Sequence, residues 1–118
     1  MIEKNKRFNI MIEKLTNEYF DLFSNKNIDG LSNLFDDNIE LKDWDVDAKN
    51  KENVLNSIKN IFNSVESIKT IPIKYYQDDL TICCDIYIEI NNKEKINVMD
   101  VITFNNLGKI KKIKAFKI

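Results

Sequence analysis

Apolar residues in the first half of the chain recur every three or four positions, which is the spacing of one face of an α-helix. The pattern predicts three helices, separated by polar breaks at residues 25–27 and, further on, by a strand and a polar loop at 45–50. The three apolar faces consist of Phe8, Met11, Ile12, Leu15, Tyr19, Leu22 and Phe23; of Ile28, Leu31, Leu34 and Phe35; and of Val54, Ile58, Ile61, Phe62 and Val65.

Strict alternation of apolar and polar residues elsewhere predicts β-strands. One strand contains Ile39, Leu41 and Asp43 and follows a turn at residues 36–38. Four more follow the third helix, the last from 110 to 118, with hairpin turns at 91–93 and 105–108. Pro72 predicts an edge strand or a bulge, because proline cannot donate to a ladder. In the first three of these four strands, the alternating residues that share one face are Ile71, Ile73 and Tyr75; Leu80, Ile82, Cys84, Ile86, Ile88 and Ile90; and Ile96, Val98, Asp100, Ile102 and Phe104.

The order of these elements predicts an α+β fold, with the three helices of the N-terminal half packed on a curved, mainly antiparallel sheet. A length of 118 residues suits one domain with one core, and we expect residues 1–118 to form it. The first residues mix charged and apolar side chains, unlike a signal sequence, and no apolar run approaches membrane-spanning length.

Composition narrows the chemistry mainly through what is missing. The chain has no histidine, which excludes histidine bases, Ser–His and Cys–His nucleophiles and histidine-ligated metal sites. Two glycines, Gly30 and Gly108, are too few for a glycine-rich phosphate loop. A net charge of -1 gives no attraction to nucleic acid or to a membrane surface. Any catalysis must rest on Asp, Glu, Tyr, Lys or Cys, and we expect neither metal nor cofactor.

The cysteines, Cys83 and Cys84, are neighbours in a predicted strand. Their side chains point to opposite faces, so they are badly placed to form a disulfide with each other. We expect them to be reduced packing residues of a cytoplasmic protein.

Three polar residues interrupt faces that are otherwise apolar and inward. Asp43 and Asp100 occupy inward strand positions, and Tyr19 lies on the apolar face of the first helix. A buried aspartate is costly unless it is hydrogen-bonded or protonated, so desolvation should raise the pKa of Asp100. Polar groups that converge on an apolar interior are typical of a small-molecule site. We expect one cavity bordered by these three side chains and lined by Leu15, Phe35, Ile58, Phe62, Ile102 and Phe116.

Each of these residues also has a purely structural reading. Tyr19 could be an ordinary core residue, and Asp43 could be a strand-end residue in water. Asp100 could be a buried group satisfied by a neighbour. Trp44 could be surface packing, part of an interface, or a lid over the cavity.

Two stretches of the chain resemble the nuclear transport factor 2-like superfamily, which includes the SnoaL-like cyclases and the ketosteroid isomerases. Residues 18–23, 27–31 and 34–39 resemble its opening, and residues 99–110 resemble its Asp-containing strand and Gly-Lys turn. The resemblance covers nearly the whole chain and implies a cone-shaped α+β barrel. It is specific for the fold and not for the function, because this fold hosts many activities.

Among these activities, the functional resemblance is to the ketosteroid isomerases. Tyr19 falls where that family keeps an oxyanion-hole tyrosine, Asp43 where it keeps a general base, and Asp100 where it keeps a protonated aspartic acid. The resemblance implies proton transfer next to the carbonyl of a small apolar ketone, with Asp43 as base and the other two as donors. Trp44 departs from the family, which typically has a proline there.

The missing histidine and the position of Arg7 reduce the number of other superfamily activities that this chain could perform. Dehydratase chemistry that needs a histidine is excluded, and Arg7 is poorly placed for an Asp–Arg–Asp hydrolase site. SnoaL-like cyclisation by one carboxylate stays open. So does a non-catalytic binding module for an apolar ligand or a partner's segment.

The outer face of the predicted sheet suggests self-association. It carries Cys83, Tyr87, Met99 and Val101, a set too apolar to leave in water on a small monomer. We therefore expect a homodimer formed through this face, which the resemblance also implies.

Overall fold

The computed structural model describes the backbone of residues 2–118 and the side chains of residues 11–118, so the side chains of Arg7 and Phe8 lie outside it. Within that range the chain forms three helices and six strands. In chain order they are α1 (Ile2–Ser24), α2 (Ile28–Leu34), β1 (Phe35–Lys42), β2 (Asp47–Lys49), α3 (Lys51–Ser64), β3 (Ile68–Asp78), β4 (Thr81–Ile90), β5 (Glu94–Phe104) and β6 (Ile110–Lys117).

The strands form one curved sheet in the order β2-β1-β6-β5-β4-β3. Neighbouring strands are antiparallel, except that β1 and β6 run parallel. The last strand returns to lie beside the first, which brings residues from both ends of the chain to the same face. The predicted α+β fold, with helices packed on a mainly antiparallel sheet, is confirmed. None of the helices in the described range is long and apolar enough to cross a membrane.

Asparagines begin two of the helices, at the polar breaks seen in the sequence. The Asn27 side chain accepts a hydrogen bond from the backbone N–H of Gly30 at 2.9 Å, and Asn50 accepts one from Asn53 at 3.0 Å. These bonds satisfy N–H groups that have no partner within a helix, which is why asparagine is favoured there.

Hairpin turns join the long strands where the sequence predicts them. Asn91 and Asn92 both have positive φ, 54° and 58°, as the two central residues of a tight β4–β5 hairpin require. Gly108 adopts a φ of 79° in the β5–β6 turn, where a side chain would be strained.

The region around β1 differs from the prediction. Phe35, assigned to the second helix, begins β1, and residues 36–38, assigned to a turn, lie within the strand. Phe35 pairs with Ile110 but Glu40 pairs with Lys112, so five steps along β1 match two along β6. The residues with turn chemistry therefore form a bulge inside a strand. Residues 47–49, predicted as loop, form β2 against β1.

The edge strand β3 contains a second irregularity. Pro72 lies on this edge strand and next to a register shift. The two alternatives predicted for it, an edge strand and a bulge, therefore occur together. The shift turns Ile73 outward, and the predicted single face of Ile71, Ile73 and Tyr75 does not form.

The core fills the space between the helices and the inner face of the sheet. Met11, predicted on the apolar face of α1, is 50% exposed, whereas Ile12 and Thr16 are buried. The Thr16 hydroxyl donates to the Ile12 carbonyl at 2.8 Å, which satisfies it inside the core. Large side chains that are completely buried are Ile12, Leu31, Phe35, Ile39, Val54, Ile58, Ile82, Ile86, Ile102, Phe104, Ile110 and Ile113.

Candidate functional site

A cavity of about 350 Å³ opens between the inner face of the sheet and helices α1 and α3. This volume lies within the range of small-molecule sites, and such sites are usually apolar with a few polar groups. Most of the wall is apolar: Phe20, Phe23, Leu41, Val46, Ile58, Ile61, Val65, Ile68, Ile86, Ile88, Ile90, Ile96, Ile113 and Ala115.

Tyr19, Asp43 and Asp100 all border this cavity. Tyr19 comes from α1, Asp100 lies opposite Ala115 of β6, and Asp43 continues β1, the next strand beyond β6. Strands are spaced about 4.8 Å apart, so the backbones of the two aspartates lie about 10 Å apart across the sheet. Residues distant in the sequence thus surround one space.

Asp100 is buried to 6% exposure, and its carboxyl makes no hydrogen bond or ion pair with any residue that the structure describes. Burial, and then the negative charge of Asp43, raise the pKa of Asp100 to about 7. The direction is the one expected from its apolar strand neighbours. Near neutral pH a large fraction of Asp100 therefore carries a proton, and a protonated carboxyl can donate a hydrogen bond.

Tyr19 is also buried, with its ring packed against three phenylalanines. Ring centroids lie 5.3 Å from Phe20, 5.9 Å from Phe23 and 6.3 Å from Phe35. Burial, followed by the charges of Asp100, Cys84 and Asp43, raises the pKa of Tyr19 well above its usual value. The hydroxyl therefore keeps its proton and can act as a donor.

The Tyr19 hydroxyl, like the Asp100 carboxyl, has no hydrogen-bond partner among the described residues. Every fully enclosed polar side-chain atom in residues 11–118 does have a partner. The unpaired groups of Tyr19 and Asp100 therefore reach open space, and the space that both border is the cavity. Each of the two groups can therefore donate a hydrogen bond to a ligand in the cavity.

Asp43 is held differently, in the tight turn that follows β1. Its Oδ1 accepts hydrogen bonds from the backbone N–H groups of Asp45 and Val46, each at 2.7 Å. Its own N–H donates to the Val46 carbonyl at 2.9 Å. These bonds hold the side chain in place and leave Oδ2 without a hydrogen-bond partner among the described residues.

Two exposed residues, Trp44 and Lys117, also border the cavity. The Lys117 ammonium lies 4.8 Å from the centroid of the Trp44 ring, a cation–π contact between the first and last strands' ends. Of the three settings open for Trp44, its place in the cavity lining is compatible with that of a lid residue, and its 40% exposure is compatible with the other two.

The apolar lining differs from the predicted set. Ile58 borders the cavity, whereas Leu15, Phe35, Phe62 and Ile102 pack in the surrounding core without bordering it. Alternation along a strand or helix predicts which face a residue takes, but not its depth relative to an opening.

Phe116 was predicted to line the cavity and lies on the opposite face of the sheet, 53% exposed and opposite Met99. The reason is the register shift where β6 begins. Ile110 and Ile113 are both buried although they are three positions apart, whereas regular alternation would put them on opposite faces. Counting in twos from Ile110 therefore gives the wrong face for Phe116.

Two residues near Asp100 or the cavity were not singled out as site residues by the sequence pattern. Thr70 borders the cavity from an inward position of β3, the same signal that identified Asp100, but threonine is common in strands. Cys84 lies directly opposite Asp100 in the ladder. Burial, then the charges of Asp100 and Cys83, raises the pKa of the Cys84 thiol, which is therefore neutral.

The chain matches no protein-family model and no curated protein sequence. Solved structures match it over most of its length. A protein of unknown function from Cytophaga hutchinsonii, described as NTF2-like, has a TM-score of 0.77 at 13% identity, covering 91% of this chain and 89% of that one. A candidate isomerase of the SnoaL-like family from Agrobacterium tumefaciens has a TM-score of 0.80 at 9% identity, covering 92% and 98%. A candidate ketosteroid isomerase from Kribbella flavida has a TM-score of 0.76 at 10% identity, covering 92% and 78%.

The chain has the nuclear transport factor 2-like fold. The resemblance seen in residues 18–39 and 99–110 is thereby confirmed for the fold. Identities this low do not carry an activity from one member to another, because one fold hosts many functions. The function of this chain must be argued from the side chains around its own cavity.

Proposed function

We propose that the protein binds a small apolar ketone in this cavity and transfers a proton at the carbon next to its carbonyl. An isomerase or a SnoaL-like cyclase performs this kind of reaction. The observation that carries the proposal is the pair of buried, unpaired donors, Tyr19 and Asp100, which border the same apolar cavity as the fixed carboxylate of Asp43.

In the proposed reaction the ketone oxygen accepts hydrogen bonds from the Tyr19 hydroxyl and from protonated Asp100. Asp43 removes a proton from the adjacent carbon, the C–H electron pair forms the enolate double bond, and negative charge develops on the oxygen. Donors already in place in an apolar cavity stabilise that charge strongly. Asp43 then returns the proton to a carbon of the enolate, so that an isomerisation consumes no other reactant.

The experiment is proton–deuterium exchange at the carbons next to the carbonyl, followed by NMR for a panel of apolar cyclic ketones in D₂O. We expect the unmodified protein to accelerate exchange for a ketone that it binds. Asp43→Asn should abolish the acceleration and keep the affinity. Tyr19→Phe should slow it about 100-fold or more, as expected for loss of one oxyanion donor. Ketones that bind without accelerated exchange would contradict catalysis.

A non-catalytic binding module is the second candidate, and one observation favours it. The Oδ1 of Asp43 is engaged by two backbone N–H groups of its own turn, which is also what a purely structural turn residue would show. In that case the cavity would hold an apolar ligand or a partner's segment without turnover. Ketone binding that survives Asp43→Asn, together with no exchange in either protein, would support this candidate.

We further propose that residues 1–118 act as one domain, as a cytoplasmic homodimer. Two free cysteines support a reducing compartment. Tyr87 and Phe116 are exposed on the outer face of the sheet, beside the half-buried Met99 and Val101, and this supports burial against a second copy. The balanced net charge of -1 gives no support to nucleic acid or a membrane as a partner.

A further inference from the structure

Thr70 is another buried polar group that borders the cavity. It is 9% exposed, and its hydroxyl makes no hydrogen bond with any described residue. Since the fully enclosed polar side-chain atoms of residues 11–118 all have partners, the Thr70 hydroxyl reaches open space. Thr70 is on the inner face of β3, so that space is the cavity.

The backbone of Thr70 is fixed by α1. Its N–H donates to the Ser24 hydroxyl at 2.9 Å, which joins the end of α1 to the edge strand β3. A hydroxyl on a fixed backbone, with no partner of its own, is well suited to recognise a ligand group.

The strand register gives the offset along the sheet between Thr70 and Asp100 of the donor pair. Thr70 pairs with Ile88, and Ile88 pairs with Ile96, so these residues form one row across three strands. All of them border the cavity. Ile96 precedes Asp100 by four residues on β5, which is about 13 Å along the strand. Ile86, which pairs with Val98 between these two positions, also borders the cavity, so the wall there is apolar.

We propose that the ligand of this cavity carries two neutral polar groups at opposite ends of an apolar body, and that Thr70 binds the second one. This inference rests on the proposed function, in which the first group is a ketone oxygen at Tyr19 and Asp100. The second group is a hydroxyl or a carbonyl, because a threonine hydroxyl both donates and accepts. A ligand without it would leave the buried Thr70 hydroxyl unpaired, which is unfavourable.

The charges around the cavity indicate that this second group is neutral. The acids that border it, besides Asp100, are Asp43 and Asp45, and the cation among the described bordering residues is the exposed Lys117. Lys117 already lies over the Trp44 ring. A carboxylate or phosphate would therefore meet more negative than positive charge.

The test compares two rigid polycyclic ketones that are identical except for a hydroxyl at the end opposite the carbonyl. Affinities are measured by calorimetry for the unmodified protein, Thr70→Val and Thr70→Ser. One hydrogen bond is worth about tenfold in affinity, so the hydroxyketone should bind the unmodified protein about tenfold more tightly. Thr70→Val should remove this preference and keep the affinity for the plain ketone, and Thr70→Ser should preserve it.

Ser64→Ala is the matched control. Ser64 also borders the cavity, but its hydroxyl already donates to the Ile61 carbonyl at 2.7 Å, so the preference should be unchanged. Thermal unfolding of each variant verifies folding. Equal binding of both ketones, or a preference that survives Thr70→Val, would overturn the role of Thr70 while leaving ketone binding intact. If neither ketone binds the unmodified protein, both the role of Thr70 and the proposed function are wrong.

Discussion

At the scale of single residues, Asp100 makes folding stability depend on pH. Its pKa is 3.8 in an unperturbed chain and about 7 when folded, so the folded chain holds this proton more tightly between about pH 4 and 7. The unfolded chain binds fewer protons in that window, and stability therefore falls as the pH rises through it. The stabilisation is complete below about pH 4 and lost above about pH 7. It amounts to on the order of 4 kcal/mol.

Asp100→Asn should remove this dependence, because an amide does not titrate. The free energy of unfolding, measured with urea at pH 4.5 and pH 8, should fall more for the unmodified protein than for the variant. Subtracting the two proteins cancels the other titrating groups. Parallel changes in both would mean that Asp100 is ordinarily ionised when folded.

How far the sequence can identify site residues depends on how strongly each breaks a pattern. Asp43 and Asp100 stand out because a carboxylate in an apolar face is costly. Thr70 breaks the same pattern, but its hydroxyl is small and threonine suits strands. Phe116 was misplaced because the register shift at the start of β6 reverses which residues face inward, and that shift depends on pairing with β5.

At the scale of elements, Lys26 joins the α1–α2 corner to the end of α3. Its ammonium donates to the carbonyl oxygens of Phe62, Val65 and Glu66 at 3.0, 2.8 and 3.1 Å. A positive charge at the C-terminal end of a helix also opposes the negative end of the helix dipole. This contact helps to hold α3 against the cavity.

Lys26→Met keeps most of the aliphatic stem and removes the charge and its hydrogen bonds. We expect the free energy of unfolding to fall by about 2 kcal/mol, the usual value of charge-assisted hydrogen bonds. Lys59→Met, at an exposed position of the same helix, should change it by less than about 0.5 kcal/mol. Equal small effects in urea titrations of both variants would contradict the role of Lys26.

Elements with long, regular patterns were predicted well, and short ones poorly. The alternation in β4 and β5 and the period of α3 follow directly from their sequences. Residues 36–38 carry turn chemistry, and Asp36 does accept a hydrogen bond from the Asn38 N–H at 2.8 Å. Pairing with β6 nevertheless keeps them within a bulged strand, and pairing with β1 makes residues 47–49 a strand. Such long-range pairing is not visible in a local pattern.

At the scale of the whole molecule, we expect a dimer through the outer face of the sheet. Phe116→Lys places a charge on that face at an already exposed position, so it should leave folding intact and disrupt the dimer. Leu107→Lys is the control, since Leu107 is exposed in the β5–β6 turn, outside the strands. Light scattering should give twice 13.9 kDa for the unmodified protein and the control, and 13.9 kDa for Phe116→Lys. A monomeric unmodified protein would contradict the dimer.

The fold as a whole tolerates great change in sequence, as the TM-scores of 0.76 to 0.80 at 9 to 13% identity show. The apolar pattern predicted the α+β class, and the resemblance of the segments within residues 18–39 and of residues 99–110 implied this particular fold. Cavity volume and the lining residues depend on how individual side chains fill the interior, which a pattern does not contain. This is why the fold could be predicted and the function must be tested.

The measurement that tests the account most directly is an NMR titration of the Asp100 carboxyl carbon, assigned by its loss in Asp100→Asn. Proton transfer to a ketone, as proposed, needs this carboxyl to be a neutral donor that faces the cavity. The predicted midpoint in the free protein is about pH 7, set by burial and by Asp43. It should rise further when an apolar ketone binds, because the ketone oxygen stabilises the protonated form. A midpoint near pH 4, or one that a bound ketone leaves unchanged, would contradict the account.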